Sequence, residues 1–423
     1  MTFTTFQEAQ AWIENSHRFG DKLDLKRMNL ACELLNHPEN SFQSIHVAGT
    51  NGKGSTANFL KNILFEAGFK VGIYTSPYVV KFNERIGINH DFISDDDVIK
   101  YANELSVLWD KVYTDYSEAI TFFEILTLMA FLYFRDQKIT FGVIEVGLGG
   151  LLDATNVITP AVSVITNISY DHMKQLGNTL ESIAINKLGI VKPGIPLVTS
   201  IEEVSLFPLF KEYTSNLGSS LTMIDFTKVS NIHVGEYTSF TYKNEIYTLQ
   251  LPGFHQVKNA CLAIETIHLF KQSLHLEISV DEIKRGLSST LWPGRFEIFN
   301  HHIILDGAHN IGGIESLEKT LLAMYPDKYI KCLFCMMKDK EHYKVISGLD
   351  EIVDEFHFTE IPYPRRADAE ELFLESNHPL KYVHHDFIEA FKTLSILKPN
   401  EILLVTGSLY FISEIRKLLV PQE

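Results

Sequence analysis

Short apolar, β-branched runs alternate along the first half of the chain with longer stretches whose apolar residues return every three or four places. The runs Ile45 to Val47, Val71 to Tyr74, Phe141 to Val146, Val162 to Thr166 and Pro196 to Thr199 predict strands. Lys53 to Ala67 carries Leu60, Ile63, Leu64 and Ala67 at helical spacing and stops at Gly68, which predicts a helix. Asn178, with Glu181 three residues on, has the form of a capping box and predicts a helix running to Lys187 and ending near Gly189. Strands alternating with helices in this way predict parallel pairing with crossover helices, an α/β fold.

The pattern changes after Ser200. Tyr237 to Leu251 alternates polar and apolar residues around Lys243-Asn244, the signature of an antiparallel hairpin, and a helix is expected from Gln256 to about Phe270. Trp292-Pro293-Gly294 then breaks the chain, and the α/β alternation restarts with strands near Ile303 to Leu305, Tyr329 to Cys335, Glu355 to Thr359 and Ile402 to Thr406. The boundary is placed between Pro293 and Phe299, giving a first domain over 1–295 and a second over 299–423. The Pro-Gly break is expected to act as a hinge.

The length of 423 residues fits two or three domains at about 150 residues each. Apolar residues make up 45% and charged residues 21%, as in an ordinary folded protein. Thirty-seven basic against fifty-three acidic residues leave a net charge of −16. That balance argues against a nucleic-acid partner, since phosphate contacts need clustered Lys and Arg, but it allows a small anion in a local pocket. Four cysteines in so long a chain do not make a disulfide framework and point to a reducing compartment. The acidic start, with Glu8 and Glu14, has no signal-peptide pattern. The most apolar window, Phe122 to Phe134, is shorter than the roughly 18 residues of a membrane span and reads as a buried helix. A cytoplasmic protein with no membrane partner is expected.

In open α/β sheets ligands bind beyond the carboxyl ends of the strands. The first strand is followed by Gly49-Thr50-Asn51-Gly52-Lys53-Gly54-Ser55-Thr56 and a helix. Glycines allow backbone N–H groups to wrap a phosphate, the helix N-terminus adds its dipole, and Lys53 adds charge. The spacing departs from the strict Walker pattern, because Gly54 follows the lysine directly. The alternative is an ordinary Gly-rich turn. Thr75-Ser76-Pro77 follows the second strand and by itself reads as a turn. Glu145 lies in the third strand, where a carboxylate is costly unless paired or bound to a metal; Gly147 to Gly150 and Asp153-Ala154-Thr155-Asn156 come next. Asp171-His172 follows the fourth. Together these are the ingredients of a nucleotide–Mg²⁺ site with room for a second metal. The second domain repeats the arrangement with Asp306-Gly307-Ala308-His309-Asn310 after one strand and Thr406-Gly407-Ser408 after another; these are either turns with caps or groups that close the site. Cys332-x-x-Cys335 has redox spacing but falls within a strand and has no second pair for zinc, so buried cysteines are expected.

His46 to Thr56, Thr75-Ser-Pro77, Phe82-Asn-Glu-Arg-Ile86, Glu145 to Gly150, Asp153-Ala-Thr-Asn156, Pro293-Gly-Arg-Phe-Glu297, Leu305-Asp-Gly-Ala-His-Asn310 and Thr406-Gly-Ser-Leu-Tyr410 resemble, in order, the motifs of the folylpolyglutamate synthase/dihydrofolate synthase family, relatives of the Mur ligases. The resemblance spans nearly the whole chain and is weakest from Ile201 to Gln250. It implies a P-loop nucleotide-binding parallel-sheet domain followed by a smaller Rossmann-like α/β domain. It implies an ATP-dependent ligase that phosphorylates a carboxylate of dihydropteroate or a folate, then joins L-glutamate to the acyl phosphate with release of ADP and phosphate.

Matched position by position, the resemblance assigns Gly49, Thr50, Asn51, Gly52, Lys53, Gly54 and Ser55 to the ATP phosphates, and Asn259 to adenine. Ser76 and Glu145 would hold a first Mg²⁺; His172 and a carbamylated Lys187 would hold a second. Arg295 would reach the phosphates, and Asp306 and His309 would close the site from the second domain. His309 and Ser408 are candidates for the incoming glutamate, and Asp153 for the pterin loop. Lys53, His172, Lys187 and His309 are the expected catalytic groups, in a monomer. Leu151 stands where the family usually has Arg, and Asn186 where it usually has Glu. A cell-wall Mur ligase would need an added N-terminal domain, and too little chain precedes Gly49 for one. A non-catalytic P-loop protein would not need Asp306 and His309.

Overall fold

The computed structural model describes residues 2–16 and 24–420. They divide into two compact units, one formed by Met1–Phe226 with Lys258–Ser289, the other by Thr227–Val257 with Thr290–Glu423. The second segment of the divided chain thus begins a few residues before Pro293, and the region 227–257 groups with the C-terminal half.

The first unit is built on an eight-stranded sheet. Its strands in chain order are β1 (Gln43–Ala48), β2 (Val71–Tyr74), β3 (Ile86–Ile88), β4 (Asp91–Phe92), β5 (Phe141–Glu145), β6 (Val162–Ile165), β7 (Leu197–Thr199) and β8 (Leu221–Met223). Their spatial order is β4-β3-β2-β5-β1-β6-β7-β8. The six from β2 to β8 pair in parallel, and β3 and β4 add an antiparallel edge. Strands β5 and β6 are buried along their whole length, which is why they read as unbroken apolar runs rather than alternating ones. Register aligns Val47 with Glu145 and Ala48 with Ile165. The segments leaving β1, β5 and β6 therefore emerge side by side.

The helix Phe122–Asp136 packs into the larger core cluster, with Leu126, Phe131 and Phe134 fully buried. Its N-terminus is a capping box in which Thr121 accepts from the Glu124 N–H and Glu124 accepts from the Thr121 N–H. The helix Leu180–Leu188 buries Ile183, Ala184 and Leu188 in a second cluster with Ile165 and Leu197. Its box is set one residue later than the sequence reading: the cap is Thr179, answered by Ser182, not Asn178 with Glu181. The Thr179 hydroxyl reaches the N3 amide, so local phase, not the presence of Glu, decided the start.

In the second unit β9 (Val229–His233), β10 (Thr238–Tyr242) and β11 (Glu245–Leu249) form an antiparallel sheet in the order β11-β10-β9. The expected hairpin is β10–β11 around Lys243-Asn244; β9, mostly exposed and polar, gave no alternating signal. The other sheet contains β12 (Glu297–Phe299), β13 (Ile303–Leu305), β14 (Tyr329–Phe334), β15 (Glu355–Thr359), β16 (Lys381–His384) and β17 (Glu401–Thr406), in the order β12-β13-β17-β14-β15-β16. All its pairings are parallel except β12 with β13. Phe334, Phe356, Phe358 and Leu404 form its core. Cys332 lies in β14 and Cys335 directly follows it; both are buried free thiols, and burial raises both well above an ordinary thiol, which keeps them inert.

Candidate active site

The loop from Gly49 to Gly52 joins β1 to the helix Lys53–Glu66. Gly49 has φ +145° and Gly52 has φ +81°, conformations that side chains rarely tolerate. Space is equally restrictive. A Cβ on Gly49 would fall 1.8 Å from the Thr166 hydroxyl, and one on Gly52 would fall 2.4 Å from Asn259 Oδ1. The loop is tied to the segment after β6: Thr50 N–H donates to the Asn167 carbonyl (3.0 Å), Asn51 N–H to Asn167 Oδ1 (2.9 Å), and the Thr166 hydroxyl to the Asn51 carbonyl (2.6 Å). These bonds hold a helix N-terminus, the natural seat for a phosphate, and Asn259 lies directly against it. Gly54 and Ser55 follow in the first helical turn.

Two lysines converge on this loop. Lys53 Nζ donates to the carbonyls of Gly49 and Thr50, both at 3.1 Å. Lys187 Nζ, in the last turn of its helix, donates to the same Gly49 carbonyl at 2.9 Å. Lys187 is 4% exposed. Burial, reinforced by the Lys53 charge, pushes its amine down to about 7, against the pull of Asp171 and Asp153. A desolvated ammonium disfavours its charge, and a second cation nearby adds to the effect.

Carboxylates border the lysines. Glu145 ends β5, is buried, and accepts from the Ser76 N–H at 3.3 Å. Asp153 is buried and accepts from the N–H groups of Leu148 (2.9 Å) and Thr155 (3.0 Å); burial nevertheless raises its carboxyl above the usual range. The Thr155 hydroxyl links on to His46 Nε2 at 2.8 Å. His172 follows Asp171 with φ +49°, and its Nε2 lies 3.8 Å from Asp171 Oδ2. Its side chain is 38% exposed. Leu151 N–H donates to the Asn186 carbonyl at 2.8 Å, so the two positions that depart from the family pattern touch each other.

The second unit assembles its own group. Asp306, after β13, is buried and accepts from the N–H groups of Phe296 (2.9 Å) and Ala308 (2.8 Å); burial raises its carboxyl, and Arg295 opposes that shift. Arg295 and Asp306 are thereby neighbours. Gly307 N–H donates to the Gly294 carbonyl at 3.0 Å, which ties the Pro-Gly break to the same turn. His309 Nδ1 lies 2.8 Å from the Gly307 carbonyl, so this nitrogen carries the proton. Ser408 caps the helix Leu409–Leu419, accepting from the Tyr410 N–H at 3.2 Å.

Known proteins are similar to this chain over nearly all of its length. Residues 47–267 match the Mur ligase middle domain, and residues 294–409 match the Mur ligase glutamate ligase domain. The dihydrofolate synthase/folylpolyglutamate synthase of Bacillus subtilis is 39% identical over 99% of this chain and 100% of its own. The chain belongs to the folylpolyglutamate synthase/dihydrofolate synthase family. Folylpolyglutamate synthase of Lacticaseibacillus casei is 32% identical over 98% of this chain and 99% of its own. Among solved structures, the Thermotoga maritima folylpolyglutamate synthase has a TM-score of 0.86 at 30% identity, covering 99% of this chain and 97% of its own. E. coli FolC in complex with DHPP and ADP has a TM-score of 0.87 at 27% identity, covering 98% and 97%. Like other members of the family, the chain is an ATP-dependent ligase that forms a carbon–nitrogen bond, with the two-domain α/β fold that the motifs imply. No helix among the described residues is long and apolar enough to cross a membrane.

Within this family frame, Gly49 to Ser55, Asn259, Lys187 and Asp171 gather around one loop, while Glu145, Ser76 and Asp153 stand at the neighbouring strand ends. Arg295, Asp306, His309 and Ser408 belong to the other unit. Sequence reasoning missed Thr166 and Asn167, which hold the Gly49–Gly52 loop in place. Their signal was available, since a Thr-Asn pair directly follows a fully buried parallel strand.

Proposed function

We propose that the γ-phosphoryl group of ATP passes to a carboxylate oxygen of dihydropteroate or of a folate, and that the L-glutamate amine then attacks the acyl phosphate. The attack forms the amide and expels phosphate; the amine loses a proton. A carboxylate is a poor electrophile, and phosphorylation converts one of its oxygens into a leaving group. The observation that carries this reading is the convergence of Lys53 and Lys187 on the Gly49 carbonyl at a glycine-built helix N-terminus. Oriented donors of this kind stabilise charge on a transferring phosphoryl group.

The family resemblance, together with these positions, supports the following roles. Gly49 to Ser55 would cradle the phosphates, and Asn259, against Gly52, would meet the nucleotide. Asp153 would serve the pterin loop. On the resemblance, Arg295 would meet the phosphates, Asp306 and His309 would take part in the reaction, and His309 and Ser408 would serve glutamate. The residues also suit Mg²⁺. Ser76 and the buried Glu145 would hold one ion. His172 and Lys187 would hold a second, once the lysine amine, neutral for part of the time near pH 7, has taken up CO₂. A carbamate supplies the oxygen ligand that a hard cation prefers, and its remaining N–H can keep the bond to Gly49. The ions would neutralise charge on the phosphate oxygens. The chain would act as a cytoplasmic monomer.

Phosphate release should require ATP, glutamate and a pteroate acceptor together; running dihydropteroate and reduced folates in turn assigns the acceptor. Release that ignores the acceptor, or that needs a nucleotide-linked cell-wall precursor instead, would overturn the proposal.

A further inference from the structure

The second unit holds a histidine and two glutamates whose ligand atoms all lie within 4.8 Å of one another: His342, Glu371 and Glu375. His342 opens the helix His342–Asp350, and the glutamates are four residues apart on the helix Ala369–Glu375. Residues at that spacing share one helix face, and like charges so placed repel. The nearby Lys381 ammonium is committed elsewhere, donating to the carbonyls of Phe373 (2.9 Å) and Ser376 (2.6 Å).

The imidazole is held as a ligand would be. His342 is 7% exposed. Its Nε2 lies 2.8 Å from the Met337 carbonyl oxygen, and a carbonyl only accepts, so Nε2 carries a proton. Nδ1 then faces Glu375 Oε1 at 3.6 Å, beyond hydrogen-bond reach. The other carboxylate oxygen, Glu375 Oε2, is buried with no hydrogen-bond partner. A ring fixed at one nitrogen by a backbone carbonyl, with the other nitrogen turned to carboxylates, is the usual setting of a metal-bound histidine. A tetrahedral ion with ligands at about 2.0–2.1 Å sets neighbouring ligand atoms about 3.3 Å apart. The Nδ1–Oε1 pair is already close to that spacing, and Glu371, on the exposed side, is free to swing inward.

The geometry points to a Zn²⁺ site formed by His342, Glu371 and Glu375, which pins the start of one helix to the end of the other. An imidazole with two carboxylates and a position for water suits Zn²⁺, which binds imidazole nitrogen more strongly than Mg²⁺ does. The site shares no residue with the nucleotide loop, so it acts on the stability of the second unit.

Untagged, metal-stripped full-length protein is titrated with Zn²⁺ against a chromophoric chelator in excess Mg²⁺, and its thermal midpoint is followed in parallel. Wild type should bind one tight equivalent and gain thermal stability. Glu371→Gln, an exposed change that leaves the fold intact, and His342→Gln should each weaken that equivalent by at least about tenfold, on the scale seen when even outer-shell partners of metal ligands are lost. Absence of a tight equivalent in wild type, or equal binding in Glu371→Gln, would overturn the site.

Discussion

Lys53 and Lys187 differ in how each became visible. Lys53 stands inside a glycine pattern whose spacing already predicts phosphate chemistry. Lys187 sits at a helix end, where an ordinary lysine would contribute a cap worth about 0.3–1 kcal/mol; the family motifs single it out, and its burial against Gly49 gives the physical reason. Lys53→Ala should lower turnover by on the order of 10² to 10³, as losing an oriented charge-stabilising donor does, with circular dichroism unchanged. Near-normal turnover would sink the phosphate-loop assignment. Lys187→Ala should lose most activity and regain part of it with acetate, while Lys187→Arg should stay inactive, because a guanidinium keeps its charge and forms no such carbamate. A fully active arginine variant would return Lys187 to the role of a helix-end charge. The buried amine also makes a stability statement. Its folded value of about 7 lies below the 10.5 of an ordinary lysine, so between those limits the unfolded chain binds more protons and this group's contribution to stability rises with pH. In CO₂-free buffer, the stability gained by Lys187→Met over wild type should be largest near pH 7 and shrink toward pH 10, by urea denaturation. A pH-independent difference would mean that the amine is not held neutral.

Among the elements, the loop from β1 and the helix Leu180–Leu188 show how far local rules reach. The loop after β1 was recognisable from its glycines, but the clash that forbids a side chain at Gly49 comes from Thr166, 117 positions away. Gly49→Ala should therefore abolish nucleotide binding, read by the loss of the ATP-induced thermal shift; an unchanged shift would contradict the tight loop. The capping error on the other helix has a direct test. Thr179→Ala should cost about 1 kcal/mol, as N-cap truncations do, whereas Asn178→Ala should move the urea midpoint little. The reverse order of effects would restore the earlier cap. Short elements such as β9, β12 and β16 escaped notice because partly exposed strands of three to five residues lack both the apolar run and the clean alternation that announce a strand.

The whole molecule has two compact units with separate hydrophobic clusters. Unfolding of a chain built this way departs from two-state behaviour. Calorimetry should give a van't Hoff enthalpy below the calorimetric one, and equality of the two would mean that the units unfold as one. The net charge of −16 predicts no retention on an immobilised polyanion at physiological salt; retention would reveal a basic surface that the overall balance conceals.

The chain's periodicity and glycines determined by themselves the two α/β blocks, the hairpin and the glycine loop after β1, because these features are encoded within windows of a few residues. Ordered motifs added the family. Tertiary structure alone decided that Lys187 loses its water and meets Gly49, that Thr166 and Asn167 brace the loop, that Asn259 reaches Gly52, and that residues 227–257 join the C-terminal half. Each of these joins positions far apart in the chain, and the desolvation that shifts a lysine, or the contact that forbids a Cβ, exists only once the strands that carry them lie side by side.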